Sequence, residues 1–179
     1  MAAARWSEGL EMISRFISLS ICLVLGGCIL QSPTPIFAEE DGKLILQPFG
    51  NQFVSFNLEN GKWIKQSDIV KFTAVGNHYI IHDKADDIQV LFAALNSKWW
   101  VMQTNETGKP PTYLLARFEG KALVLNILSC KVLKINKAVA DAINFKGEDC
   151  MANAHMTKAK FEELTKSPEP AVLKIESAP

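Results

Sequence analysis

Two cysteines twenty residues apart, Cys130 and Cys150, two histidines four apart, His78 and His82, and the aspartates Asp83, Asp86 and Asp87 are the residues whose type and spacing bear first on chemistry. His78 and His82 share a face if the segment is a strand. At ~3.3 Å per residue they stand about 13 Å apart, too far to chelate one metal ion, so they read as surface or rim histidines. His155 sits alone in the tail. The aspartates lack the D-x-D-x-D-G spacing that wraps a calcium ion, and they read as a solvated turn. No metal or cofactor site is expected. The two cysteines pair as a disulfide in an oxidising compartment. Closing a ~20-residue loop stabilises the fold by about 3 kcal/mol on the chain-entropy model. A redox-active pair would instead take the C-x-x-C form.

Catalytic signatures are missing from the sequence. It has no G-x-S-x-G elbow, P-loop or H-E-x-x-H, and pairing Cys130 with Cys150 leaves that region without a free thiol. Paired carboxylates of a glycosidase converge only in a fold, so spacing alone is silent on them. A non-enzymatic domain is expected, with a small cell-wall-directed hydrolase or an enzyme-inhibitor-like module as the alternative. The 19 basic and 19 acidic side chains balance, and residues 1–38 hold two of each, so 17 of each remain beyond them. The lysines are spread singly. Neither the basic excess of a nucleic-acid binder nor a polybasic lipid-binding cluster is present.

The aromatic residues carry more interest. Trp63, Tyr79, Trp99, Trp100 and Tyr113 fall on several predicted strands. Trp99 and Trp100 point to opposite faces if one strand holds both. One then packs inside, and the other meets a second layer, a partner or solvent. Trp99, Trp100 and Tyr113 are therefore the candidate surface for a protein partner or a small apolar ligand, the latter in a pocket if the sheet curls toward a barrel. The bland alternative places both tryptophans in the core, one under the sheet and one beneath tail helices.

The compartment is read from the N-terminal end. Residues 16–30 form an apolar run that, at ~1.5 Å per helical residue, is too short to span a ~30 Å hydrocarbon core comfortably. Arg15 precedes it, and Pro33 and Pro35 break any helix after it, which is the pattern of a secretory signal. Glu8 and Glu11 spoil the charge upstream, so Met12 is a second candidate start. Two cleavage readings compete. A cut after Ala38 frees a periplasmic or secreted domain that starts at Glu39. In the other, Leu25-Gly26-Gly27-Cys28 resembles the lipobox of bacterial lipoproteins, the signal is residues 1–27, and Cys28 takes a lipid that ties the domain to the outer membrane.

The elements that must position these residues are mostly strands. Val54, Phe56 and Leu58 alternate with polar residues, and Asn60-Gly61 supplies a type I′ hairpin turn before Trp63-Ile64. Residues 69–75 and 78–82 flank Gly76-Asn77 as a second hairpin. Residues 88–95 and 98–104 make a third pair, with Ile and Val favouring strand over helix in the first arm. Residues 113–118 and 122–127 make the clearest hairpin, apolar enough to be covered on both faces. From about residue 131 the period changes. Residues 134–145 read as a short helix, residues 158–166 as a second helix capped by Thr157, and residues 171–175 as an edge strand.

Trp99-Trp-Val-Met-Gln103, Tyr113-Leu-Leu-Ala-Arg-Phe-Glu-Gly120, a strand ending at Cys130 and a second Cys before a short helix together resemble a recurring layout of uncharacterised exported bacterial β-rich proteins and lipoproteins, over residues 78–166. That resemblance implies a half-barrel or calycin-type meander with a small helical appendix, and no activity. The expected protein is thus mainly β (α+β). It is a single domain over residues 39–179, a bent antiparallel meander or incomplete barrel with a disulfide-tethered helical segment, and it acts in the cell envelope as a binding or accessory module.

Overall fold

The computed structural model describes residues 29–82 and 87–179. Cys28, Asp83 and Asp86 lie outside the described residues. Eight antiparallel strands close a barrel: β1 (Gln52–Glu59), β2 (Lys62–Val75), β3 (His78–His82), β4 (Asp87–Ala94), β5 (Trp100–Glu106), β6 (Thr112–Glu119), β7 (Ala122–Ile127) and β10 (Ala171–Ser177). The first seven form a meander, and β10 lies between β7 and β1. The expected fold class holds, with the barrel closed rather than incomplete. Residues 171–175 are accordingly no edge strand. Leu173 and Ile175 turn onto the inner cluster, and backbone pairing with both β7 and β1 removes the free edges that an open sheet would expose.

Local sequence explains the hairpins. Asn60 and Gly61 both hold positive φ, 50° and 75°, as a type I′ turn requires. Along the strands, Phe53, Phe72, Tyr79, Val90, Phe92, Met102, Leu114, Leu123, Leu125 and Ile175 turn inward as one cluster. Phe53, Phe72, Tyr79 and Phe92 meet edge to face with centroids 5.4 to 6.1 Å apart. Residues 44–50 cross one end of the barrel, where Leu46 is fully buried and donates its N–H to the Tyr79 hydroxyl at 2.9 Å.

The excursion between β7 and β10 covers the outer face of β4, β5 and β6. It contains α1 (Cys130–Leu133), β8 (Ile143–Lys146), β9 (Asp149–Ala152) and α2 (Lys158–Leu164). The helix read over residues 134–145 is not formed. A 3-10 turn at Ala140–Ala142 gives way to the β8–β9 hairpin, because positive φ at Gly147 lets the chain reverse and Ile143 and Ala152 then bury on the same pairing. The second helix forms as expected, with the Thr157 hydroxyl accepting from Lys160 N. Val139, Phe161 and Leu164 of this layer pack on Leu91, Leu115 and Tyr113 in a second core outside the barrel.

Residues 29–38 run between these two layers. Leu30 N–H donates to Leu128 O at 2.9 Å, Tyr113 N–H to Leu30 O at 3.2 Å, and Ala152 N–H to Gln31 O at 2.7 Å. Gln31 makes isolated bridges to Thr112 of β6 on one side and Met151 of β9 on the other, so the segment links barrel and appendix. Leu30 is 0% exposed and Phe37 5%, and Phe37 lies 5.4 Å from the Phe161 ring.

Candidate partner-binding face

The sequence-predicted residues divide between the two cores. Trp99 lies just before β5 and packs on the outer cluster, with the Arg117 guanidinium 4.9 Å from its ring centroid. Trp100, the first residue of β5, turns inward onto Phe118 at 5.5 Å, and Phe118 stacks on Phe49 at 5.0 Å. The two tryptophans thus serve opposite sides of the sheet, both half-buried. The inner side of Trp100 meets aromatic rings where a ligand pocket was one expectation.

Tyr113 is corrected more sharply. It is 0% exposed and offers no surface to a partner. Its hydroxyl shares a 2.6 Å hydrogen bond with the Ser32 hydroxyl and accepts from Ile36 N–H at 3.1 Å. Burial pushes its phenol above the ordinary 10.0, an effect opposed by those hydrogen bonds. His78 also departs from the rim position expected of it: it is buried, with Nδ1 3.3 Å from Glu39 Oε1. His82 is exposed and pairs with Asp87 at 2.8 Å, and His155 is exposed in the turn before α2.

Cys130 and Cys150 form the disulfide, with Cα atoms 5.3 Å apart. It joins the start of α1 to β9. Closure accords with an oxidising compartment, and among the described residues no helix is long and apolar enough to cross a membrane. Ala38, the residue before the alternative cut, is exposed and donates its N–H to Asp41 Oδ2 at 3.0 Å.

The face that sequence reasoning missed lies on the outside of β1, β2 and β10. Register places Phe56 beside Lys65 and Lys174, and Leu58 beside Trp63. The Lys174 ammonium sits 4.2 Å from the Phe56 ring centroid and 5.6 Å from that of Trp63, and 2.8 Å from Glu176. Ile69, opposite Val54, is 57% exposed. β2 carries three unpaired residues, 66–68, opposite Ser55, and only its last four residues pair with β3. Alternation was visible at residues 54–58, but β2 takes up two extra residues at the irregularity, and sequence alone does not show which of its residues lie opposite Val54 and Phe56. An open depression of about 420 Å³ adjoins this sheet, lined by Gln47, Asn51, Lys71 and Thr73 over Phe72 and Tyr79.

No family model, curated protein or solved structure matches the chain.

Proposed function

We propose that this is an exported, non-enzymatic accessory domain of the bacterial cell envelope that belongs with the uncharacterised exported β-rich proteins its sequence resembles. It is carried in the periplasm, tied to the outer membrane by lipid at Cys28, and it binds a protein partner through the outer face of β1, β2 and β10. The observation that carries the reading is the contrast between the two sides of this sheet. Inside, aromatic and aliphatic side chains fill the barrel and residues 44–50 stop one end. Outside, Phe56, Leu58 and Trp63 are half-buried and Ile69 is exposed, an apolar strip rimmed by Lys65, Lys71 and Glu176. Such a rimmed strip fits a protein contact better than an enclosed apolar ligand. The filled apolar interior also differs from the polar lumen of a membrane barrel.

Site-specific photo-crosslinking in cells tests this. A crosslinker at position 69 should give one adduct of defined mass, and a crosslinker at Lys121, on the turn between β6 and β7, should give none. Trp63→Ser should abolish the adduct while leaving the thermal midpoint within a few degrees. Stoichiometric uptake of an apolar fluorophore, quenched through Trp100 and with no adduct at position 69, would move the assignment to a small apolar ligand.

A further inference from the structure

The two cleavage readings make opposite demands on residues 29–38, and the fold distinguishes them. Under a cut after Ala38 these residues are discarded. In the structure Leu30, Ser32 and Phe37 of this segment are buried, and two of them belong to the outer core. Leu30 and Phe37 fill it, and Phe37 and Tyr113 both lie within 5.5 Å of the Phe161 ring.

Polar groups of the barrel wall are also committed to this segment. The buried Gln103 side chain accepts from Phe37 N–H at 3.0 Å and from Ile36 N–H at 3.1 Å, and it donates to Phe37 O at 3.1 Å. The Tyr113 hydroxyl is committed to Ser32 and Ile36. Backbone groups of Tyr113, Leu128, Cys150 and Ala152 pair with Leu30 and Gln31. Removing the segment would uncover Phe161 and Leu115 and leave Gln103 and Tyr113 facing a void without partners, which is costly for buried polar groups.

We infer that the export signal is removed on the N-terminal side of Ile29, so that residues 29–38 remain in the mature protein as a segment held between barrel and appendix. The inference rests on the export reading proposed above. Hydrolysis adds one water across one peptide bond; the new carboxyl leaves with the signal, and the new amine begins the mature chain. Ile29 already pairs with Ser129, so a cut directly before Cys28 would leave one residue ahead of the fold. Ser129 adjoins Cys130, and Gln31 N–H donates to Cys150 O at 3.3 Å, so the disulfide braces the two places where residues 29–31 are held. A membrane attachment at the N-terminus would then hold the domain directly against the bilayer, at the barrel end that carries the β1–β2 turn.

The test uses the full chain expressed in a bacterium, with intact mass and N-terminal sequencing of the protein from each cell fraction, for the parent and for Ala38→Phe. A signal peptidase requires a small residue at its cut, whereas the exposed Ala38 side chain leaves room for phenylalanine in the fold. The expected result is processing at an unchanged position in both proteins, with the mature variant carrying the added mass of phenylalanine and unchanged yield. A periplasmic parent beginning at Glu39, together with accumulation of uncut Ala38→Phe, overturns the inference and leaves export standing. An uncut chain confined to the cytoplasm overturns export itself and the inference with it. Amide exchange on the purified mature protein gives a second readout: slow exchange at Leu30 and Gln31 supports a retained, held segment, and exchange at the free-peptide rate overturns it.

Discussion

Gln103 treats Phe37 as a neighbouring strand would: its carboxamide oxygen accepts from Phe37 N–H at 3.0 Å while its nitrogen donates to Phe37 O at 3.1 Å. One side chain of β5 thereby satisfies both backbone groups of a buried residue 66 positions earlier. Gln103 is 1% exposed, so water is no substitute. Gln103→Leu keeps the apolar bulk and orphans both Phe37 groups, while Ile36 N–H retains the Tyr113 hydroxyl. The expected loss is about 2–4 kcal/mol of unfolding free energy. Urea titration of the two proteins measures it, and a loss below about 0.5 kcal/mol would show that residues 36–37 are not held to the barrel.

The disulfide staples an appendix that has little regular structure of its own. Cys130→Ser should lower stability by about 3 kcal/mol under oxidising conditions and make the protein indifferent to reductant. The loosening should also reach residues 29–31, because Cys150 O accepts from Gln31 N–H. Exchange at Gln31 and Ala152 in the variant should therefore quicken more than exchange within β3 or β4. Equal reductant sensitivity of parent and variant would contradict the pairing.

Much of the barrel was legible because strand evidence is local. Alternation at Val54, Phe56 and Leu58, the Asn60-Gly61 turn, and the paired runs 113–118 and 122–127 each act over fewer than ten residues. What closes the barrel is not local. Val172-Leu173-Lys174-Ile175 looks the same whether it lies at an edge or between β7 and β1, since its partners lie about 50 residues before it on one side and over 110 on the other. Residues 134–145 read as a helix because Val139, Ala142 and Ile143 would share one side of it. Burial of Val139, Ala142 and Ile143 against the barrel instead favours turns and a hairpin. The largest gap concerned residues 29–38. Apolar residues and two prolines after an export signal resemble leader sequence, yet the prolines also suit an extended segment that has to lie flat between two layers. For the candidate site, the expectation at Trp99 and Trp100 located both sides of the sheet correctly, and Tyr113 was misplaced because an inward and an outward tyrosine leave the same pattern in a strand covered on both faces.

Glu169 supplies a second latch between the appendix and β10. Its carboxylate accepts from Ser129 N–H at 2.6 Å and from the Ser129 hydroxyl at 2.8 Å, and its backbone oxygen accepts from Asn126. Burial raises its pKa above the ordinary 4.5, opposed by the two Ser129 hydrogen bonds. A carboxyl whose folded pKa is raised binds its proton more tightly when folded, so its contribution weakens as pH climbs from 4.5 through the raised value. Glu169→Gln keeps an acceptor for Ser129 without a charge to desolvate. The variant should lose that part of the pH slope and remain close to the parent in stability at neutral pH, whereas Glu169→Ala should be less stable at every pH. Thermal midpoints across the acidic range decide it, and parallel curves for parent and Glu169→Gln would assign the slope to other groups.

The two buried tyrosines set the alkaline limit. Burial raises both Tyr79 and Tyr113 above 10.0, while hydrogen bonds from Leu46 N–H to Tyr79 and from Ile36 N–H to Tyr113 work the other way. Between 10.0 and the raised folded values the unfolded chain releases its phenolic protons while the folded chain keeps them. Unfolding is then favoured as pH rises, so the contribution of these phenols is complete below pH 10.0 and lost through the window above it. The urea midpoint should change little with these groups up to about pH 9 and fall beyond about pH 10. Tyr79→Phe combined with Tyr113→Phe should start from a lower midpoint, having lost the hydroxyl partners of Leu46, Ser32 and Ile36, and should fall less steeply. Lysine deprotonation acts on parent and variant alike, so the difference in slope isolates the phenols. Identical slopes would mean that both hydroxyls ionise as readily in the folded protein as in the unfolded chain, which the enclosed Ser32–Tyr113 pair forbids if residues 29–38 hold their place in the mature fold.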